Sequence, residues 1–339
     1  MKDLFLKYIF GVLIATNTFI LPIIIVLIGL KGEISMIPDI TILHATLFMF
    51  FFPFNGNSRN YILNTEDEVL INGILTFRTV IYLPLVIISY LTASYIIQIP
   101  KITLILLIFI GSFSWILEIY ITDCEKKKSY KKVISITFLY FISINFLLFT
   151  DITYQTINLF CLILILFIFP VILTVLLKNI SILSFYTFKK VFFDKIFNQI
   201  GGTTVISISS FVVKLIILLL LPKALAATIF LGYTLGASMC NILTHAFMPS
   251  IIFNNFKNFK RVVYVGLFVS TFGFLIFIIL KFNNIKIINQ NETLFLFCLF
   301  GSFIGSLISI FSQYYKFYVT KILTDLNLFF YEFIINFTA

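Results

Sequence analysis

The chain has 339 residues, of which 60% are hydrophobic and only 11% are charged, and its mean hydropathy is +1.10. No soluble core needs so much apolar surface, so the composition excludes an ordinary soluble domain and indicates a protein whose solvent is mostly lipid. The net charge of +10 would suggest nucleic acid in a soluble protein. Here the basic residues are concentrated in alternate loops, as in membrane proteins, so we expect no nucleic-acid partner.

Apolar runs of about 20 residues divide the chain, and each could cross a bilayer as a helix. The runs do not alternate polar and apolar residues as barrel strands do, and backbone groups in lipid must pair within their own segment. We therefore predict an all-α polytopic membrane protein with about 11 transmembrane helices. In chain order the runs cover residues 8–30, 39–60, 69–97, 102–121, 133–150, 154–177, 201–221, 224–251, 262–280, 293–313 and 322–339.

The first predicted helix follows two lysines and contains a polar position. No small-residue cleavage site is present, so we expect a retained signal anchor rather than a removed signal peptide. Asn17, followed by Pro22, predicts a polar kink inside this helix. The Asn17 side chain is therefore expected to face other helices or a polar lumen.

Two arginines occupy the next two predicted helices. Arg59 lies in a polar extension of helix 2, whose purely apolar part, residues 40–54, is too short to span a bilayer alone. Arg78 lies about nine residues into helix 3. An interfacial anchor and a cation that meets a phosphate are both open explanations for Arg78. Glu118, beside a lysine-rich loop, is expected to be interfacial.

The loops after even-numbered helices carry most of the positive charge. They are residues 123–132, 178–199 and 253–261, whereas the intervening loops are short or acidic. Because positive loops stay on the cytoplasmic side, the N-terminus and these loops are predicted to be cytoplasmic. We expect a multi-pass protein of the cell inner (plasma) membrane, surrounded by membrane lipids and acting as a monomer.

The basic segment 178–199 is predicted to link two halves. Residues 1–177 form the first six-helix bundle, and residues 200–339 form a second bundle that is incomplete. Pro53 followed by Asn55 near the end of helix 2 resembles Pro249 followed by Asn254 near the end of helix 8. Six helices per half make this a parallel repeat. The chain is expected to be a C-terminally shortened member of a twelve-helix architecture.

Three predicted helices carry polar stripes at helical spacing. Helix 7 has Thr203, Ser207, Ser210 and Lys214, helix 8 has Thr234, Ser238, Asn241 and His245, and helix 10 has Ser302, Ser306, Ser309 and Gln313. Close packing is one explanation, because small residues let helices approach and both Gly232–Gly236 and Gly301–Gly305 have the GxxxG spacing. A polar lumen is the other, and the buried charge of Lys214 favours it.

Other kinds of site have no support in the sequence. The histidines, His44 and His245, have no partner at metal-ligand spacing, and the four cysteines have no CxxC spacing. We therefore predict neither a metal site nor a cofactor, and a protein that is not an enzyme.

Several segments together resemble the polysaccharide flippases, the O-antigen transporter branch of the multidrug/oligosaccharidyl-lipid/polysaccharide exporter superfamily. They are residues 55–63 (NGNSRNYIL), Arg78, residues 201–214 (GGTT through the lysine), residues 225–227 (LAA) and residues 230–234 (FLGYT). The resemblance implies two parallel six-helix bundles around a lumen. It also implies that an undecaprenyl-pyrophosphate-linked oligosaccharide moves from the inner to the outer leaflet for lipopolysaccharide or other surface-polysaccharide synthesis.

The chemistry of such a substrate assigns roles to the candidate residues. Arg59, Arg78 and Lys214 would bind the anionic headgroup as cations. The glycan would meet the polar lumen positions Asn17, Thr203, Ser207, Ser210, Thr234, Ser238, Asn241 and His245.

Three other functions stay open. A drug/cation antiporter of the same superfamily would need buried carboxylates for ion coupling, whereas the deep charges found in the sequence are basic. A membrane-embedded glycan polymerase or acyltransferase would need a sizeable external loop with clustered Arg or His. The chain could also be a non-functional remnant of a truncated gene.

The loop charges generate a topological prediction. Reporter fusions at Lys128, Lys190 and Lys257 should report the cytoplasm, and fusions at Asp151 and Asn289 should report the outside. The measurement is the paired activity of a periplasm-active and a cytoplasm-active reporter at each site. A periplasmic signal at Lys128 or Lys190 would contradict both the topology and the two-bundle organisation.

Overall fold

The computed structural model describes Asn17 and residues 20–55, 58–64, 68–127, 129–180, 197–253, 293–302 and 304, and the structural statements below apply to these residues. All regular secondary structure in them is helical, as predicted. The α-helices are α1 (Ile20–Lys31), α2 (Ile37–Phe51), α3 (Ser58–Asn64), α4 (Glu68–Ile96), α5 (Lys101–Lys126), α6 (Tyr130–Phe149), α7 (Tyr154–Ile180), α8 (Phe197–Leu220), α9 (Lys223–Phe253) and α10 (Thr293–Ser302). Single 3₁₀ turns precede and follow α2, at Ile34–Met36 and Phe52–Asn55.

Several of these helices have the length and composition of membrane spans. Within the described residues four are long and apolar enough to cross a bilayer: Ile34–Asn55, Ile71–Ile96, Lys101–Lys126 and Thr203–Leu220. Shorter apolar helical segments are Ile20–Lys31, Phe138–Phe149, Tyr154–Pro170 and Thr293–Ser302. The predicted class, a helical membrane protein, is thus supported. The full set of 11 spans stays a prediction, and its runs at 262–280 and 322–339 lie outside the described residues.

The second predicted helix is interrupted. The sequence predicts one helix over residues 39–60, but α2 ends at Phe51, a 3₁₀ turn covers Phe52–Asn55, and α3 begins at Ser58. Pro53 explains the break, because proline has no amide hydrogen and its ring clashes with the preceding helical turn. The Ser58 hydroxyl donates to the Asn55 carbonyl across the break. Pro249, its predicted counterpart, lies within α9, which continues to Phe253.

Contacts along the chain define two compact units. One contains Met1–Thr41 and Leu218–Tyr315, and the other contains Ile42–Ile217 and Lys316–Ala339. This grouping differs from the predicted bundles at 1–177 and 200–339. The predicted linker, residues 178–199, lies mostly outside the described part of the chain, so the two-bundle organisation stays a prediction.

Helix α5 is the centre of the unit that contains Ile42–Ile217. It packs against α3, α4, α6 and α7. An apolar cluster fills the space between α3, α4 and α5, with Ile62, Phe77 and Ile119 each no more than 1% exposed. The polar side chains described below are therefore held by helices that are fixed on α5.

Glycines set the packing distances in the unit that contains Leu218–Tyr315. There α1 packs against α9. A Cβ atom added at Gly29 would lie 2.6 Å from a Leu231 methyl carbon, and one added at Gly232 would lie 2.8 Å from the Phe295 carbonyl oxygen. Gly301 differs, because among the described residues a Cβ atom there meets nothing within 4 Å. Close packing thus accounts for the glycine at position 232, whereas no described neighbour requires the one at 301.

This difference predicts unequal effects of the same substitution. Gly232→Ala should lower the free energy of unfolding by about 1–3 kcal/mol, because the new methyl group meets backbone that cannot rotate away. Gly301→Ala should be neutral or stabilising by up to about 1 kcal/mol, because alanine favours a helix over glycine. Thermal unfolding of both variants in one detergent measures the difference, and equal melting temperatures would contradict it.

Candidate functional site

The α4–α5 hairpin places Arg78 and Glu118 at the same depth. The two helices are consecutive and joined by residues 97–100. Arg78 lies 18 residues before the end of α4 at Ile96, and Glu118 lies 17 residues after the start of α5 at Lys101. Because helical residues rise by a constant about 1.5 Å, equal distances from the turn bring the two side chains level.

The Arg78 guanidinium is fully enclosed by protein groups. The residue is 0% exposed. Its Nη1 lies 3.1 Å from Oε2 of Glu118 and also donates to the Trp115 carbonyl. Its Nη2 donates to both oxygens of Asn55, the carbonyl and the side-chain Oδ1. The guanidinium carbon lies 4.5 Å from the centre of the Trp115 ring, within the range of a cation–π interaction.

A second ion pair lies two turns further along α5. Arg59 Nη2 on α3 is 3.0 Å from Glu125 Oε2, and the two side chains are only 7% and 8% exposed. Glu118 and Glu125 are seven residues apart and so share one face of α5. On the other side of the Arg78 pair, the Tyr82 hydroxyl lies 2.9 Å from the Ser112 hydroxyl. We call Ser112, Trp115, Glu118 and Glu125 the α5 ladder; it holds the side chains of α3 and α4.

The ladder changes the interpretation of the two arginines. Both were predicted to bind a substrate headgroup, and in this conformation both are buried and paired with carboxylates of α5. Glu118 is only 7% exposed and its charge is matched by Arg78, and its interfacial position stays a prediction. Binding of a phosphate by either arginine stays a prediction.

The predicted polar stripe of helix 7 lies on α8 and contacts α2. The Thr203 hydroxyl donates to the Pro53 carbonyl at 3.3 Å, and the Ser207 hydroxyl lies 3.5 Å from the Met49 carbonyl. In an α-helix the Met49 carbonyl would accept the amide of residue 53, which proline lacks. As the residue numbers increase from Thr203 to Ser207 along α8, the numbers of the residues they contact decrease from Pro53 to Met49. The two segments therefore run antiparallel here. For these two hydroxyls the structure shows close packing, the alternative to a polar lumen.

Lys214 continues the same stripe deeper into α8. It is 8% exposed and lies six residues, roughly 9 Å along the axis, before the end of the helix at Leu220. The sequence alone gives His44 of α2 no role, because it has no partner at metal-ligand spacing. Ser210, one turn before Lys214, is partly exposed.

His44 also begins a row of aromatic rings along α2. Its ring centre lies 6.4 Å from that of Phe48, and Phe48 stacks on Phe52 at 4.3 Å. All three residues are partly exposed. The row is therefore a partly exposed aromatic surface on α2 and the turn that follows it.

The remaining predicted lumen residues belong to the other compact unit. Asn17 is 0% exposed and Thr234 is 7% exposed, whereas Ser238 is partly exposed. Asn241 and His245 lie on the helical backbone of α9, but their side chains lie outside the described part of the structure. That these five residues line a lumen stays a prediction.

Comparison with known proteins gives no relative. No family model, curated protein or solved structure matches the chain. The resemblance to polysaccharide flippases thus rests on the segments quoted above.

The Arg78–Glu118 pair predicts a specific pattern of stability. Arg78→Gln should lower the free energy of unfolding by about 3–5 kcal/mol, because it leaves a buried carboxylate without its cation. Arg78→Lys should retain part of the stability, since it keeps the charge but loses the forked donors. The double change Arg78→Gln with Glu118→Gln should be more stable than Arg78→Gln alone, because both buried charges are removed.

The measurement is the melting temperature of the folded monomer peak after heating in detergent. Lys127→Gln is the matched control: its ion pair with Asp123 is exposed, with Lys127 49% accessible, so the loss should stay below about 1 kcal/mol. If the double variant is no more stable than Arg78→Gln, the two charges do not interact as the distances indicate.

Proposed function

We propose that the chain is a multi-pass transporter of the cell inner membrane that moves a lipid-linked oligosaccharide from the inner to the outer leaflet. The substrate would carry an anionic pyrophosphate and a hydroxyl-rich glycan, as the resemblance to flippases implies. The observation that carries the proposal is Lys214, a cation buried inside an apolar candidate span on the same stripe as three hydroxyl side chains.

The position of Lys214 supports a role beyond anchoring. A lysine inside a membrane span costs several kcal/mol, which proteins recover where the residue meets an anion or a wet cavity. Snorkelling to the membrane surface would require the side chain to cover roughly 9 Å of helix, and it would leave the residue open to its surroundings. Lys214 is instead only 8% exposed. A phosphate at this depth would gain charge-assisted hydrogen bonds.

The neighbouring side chains suit the rest of the substrate. Ser210 is partly exposed on the same stripe and offers a hydroxyl to a glycan. The partly exposed rings of Phe48 and Phe52 offer faces on which a sugar could pack. Arg59 and Arg78 are paired with Glu125 and Glu118 in the α5 ladder, whereas Lys214 lies on the hydroxyl stripe of α8, where we place the headgroup.

One observation favours the second candidate, a drug/cation antiporter. The sequence suggested that the deep charges are basic, but Glu118 is a buried carboxylate, as such an antiporter requires. Its charge is already balanced by Arg78 at 3.1 Å, which leaves little attraction for a substrate cation. The anionic-substrate function is therefore the better supported of the two.

The proposal predicts that Lys214 contributes to binding of the headgroup. Lys214→Gln should weaken the affinity for undecaprenyl pyrophosphate roughly ten- to hundredfold, since a hydrogen bond to a charged group is worth about 1.5–3 kcal/mol. Binding is measured on the purified chain in lipid nanodiscs. Transport is measured in cells that lack their own flippase, as the appearance of the glycolipid in the outer leaflet.

Lys101→Gln is the matched control, because this lysine is exposed at the start of α5. It should leave binding unchanged at equal protein level. If Lys214→Gln and Lys101→Gln bind the pyrophosphate lipid equally well, Lys214 is not a headgroup ligand. If the chain instead prefers hydrophobic cations and Glu118→Gln abolishes that preference, the antiporter function is correct.

A further inference from the structure

Two buried donor atoms at the α5 ladder have no hydrogen-bond acceptor among the described residues. They are Nε of Arg78 and Nε1 of Trp115, and the two residues are 0% and 7% exposed. Both atoms carry a hydrogen and neither can accept one, so each requires an acceptor. A buried N–H group without an acceptor is costly in any protein, and bulk water does not reach it inside a membrane span.

The two donors belong to side chains in direct contact. The guanidinium carbon of Arg78, to which Nε is bonded, lies 4.5 Å from the centre of the Trp115 ring, of which Nε1 is a member. The other two nitrogens of the guanidinium have acceptors, since Nη1 donates to Glu118 and to the Trp115 carbonyl, and Nη2 donates to Asn55. Nε is therefore the part of the guanidinium that is left for a further acceptor.

A pair of hydroxyl groups lies about one helical turn away. Tyr82 follows Arg78 by four residues on α4. Ser112 precedes Trp115 by three residues on α5, so each hydroxyl shares a helix face with the donor beside it. The Tyr82 hydroxyl lies 2.9 Å from the Ser112 hydroxyl, which also donates to the Phe109 carbonyl at 3.1 Å. When Ser112 gives its hydrogen to Phe109, Tyr82 donates to Ser112, and the Tyr82 oxygen keeps a lone pair for another donor.

We propose that a buried water molecule binds between α4 and α5, where it accepts hydrogen bonds from Arg78 and Trp115 and donates one to Tyr82. Water suits the site because it both accepts and donates, and buried waters typically make about three hydrogen bonds to such groups. An anion would also accept from the two donors. The charge of Arg78 is already balanced by Glu118 at 3.1 Å, however, so a second negative charge would be buried without compensation.

Aromatic rings border the proposed water site. Phe51 packs edge-on against Trp115 at 5.2 Å, and Phe113 stacks on Tyr82 at 5.8 Å. Because these rings offer no competing hydrogen bonds, the polar atoms that hold the water are the donors and hydroxyls named above. The water would connect the hydroxyl pair to the ion pair. It is separate from the headgroup site proposed at Lys214, and it does not depend on a transport function.

Trp115 is the only tryptophan of the chain, so a global replacement of tryptophan changes this position alone. Growth of a tryptophan auxotroph on 3-benzothienylalanine replaces the indole N–H by sulfur and keeps the shape of the ring. If the N–H donates to a bound water, the melting temperature of the purified full chain in detergent should fall by about 2–4 °C. An unchanged or higher melting temperature would mean that the N–H has no acceptor, and it would overturn the proposal.

The matched control carries Trp115→Phe together with Phe149→Trp, so that its only tryptophan lies at a position that is 82% exposed. There the same replacement should leave the melting temperature unchanged, which shows that the effect at position 115 does not come from the sulfur itself.

Ultraviolet resonance Raman spectroscopy of the natural chain gives a second readout, because a vibration of the indole ring reports the hydrogen bonding of its N–H group. The chain is measured without substrate and in phosphate-free buffer. We expect a hydrogen-bonded N–H that exchanges to N–D after transfer to heavy water, because a bound water exchanges with the bulk. A free N–H, or a bonded N–H that resists exchange, would overturn the proposal. A bonded N–H that is seen only after inorganic phosphate is added would assign an anion to the site and would equally overturn it.

Discussion

The ion pair between Arg78 and Glu118 is the constraint on which the rest of this structure depends. Both residues lie on helices apolar enough to span a bilayer, where a single uncompensated charge costs several kcal/mol. Each charge compensates the cost of burying the other, so the two residues must lie level. The pair therefore fixes the register of α4 against α5. Arg78 also holds Asn55, so the pair determines where the interrupted end of α2 lies. Arg59 and Glu125 repeat the same arrangement two turns away and fix α3.

The basic residues of the buried region therefore have different tasks. Arg59 and Arg78 are bound to carboxylates of α5, and we assign them to the framework. Lys214 lies on α8, whose Thr203 and Ser207 hydroxyl groups contact the carbonyls of Pro53 and Met49. Lys214 is buried on α8, outside the α5 ladder, and it is the cation that the proposed function assigns to the substrate headgroup.

Much of the helical framework was predictable from the sequence, because long apolar runs have few other options in lipid. The predicted run 69–97 agrees with α4 at Glu68–Ile96 within one residue at each end. Pro53 was visible in the sequence, but local pattern alone did not show that α2 would stop there whereas α9 would continue through Pro249. The pairing of Arg78 with Glu118 could have been found by counting from the α4–α5 turn. The contacts of Thr203 and Ser207 with Pro53 and Met49 could not, because they join segments about 150 residues apart in the chain.

The most direct test is the position of the pyrophosphate relative to the two kinds of cation. The full chain would be reconstituted in nanodiscs with undecaprenyl pyrophosphate and imaged by electron cryomicroscopy with a bound antibody fragment. We expect phosphate density beside Lys214, with the Arg78–Glu118 pair intact. Phosphate density beside Arg78, with Glu118 displaced, would contradict the division between framework arginines and a substrate lysine.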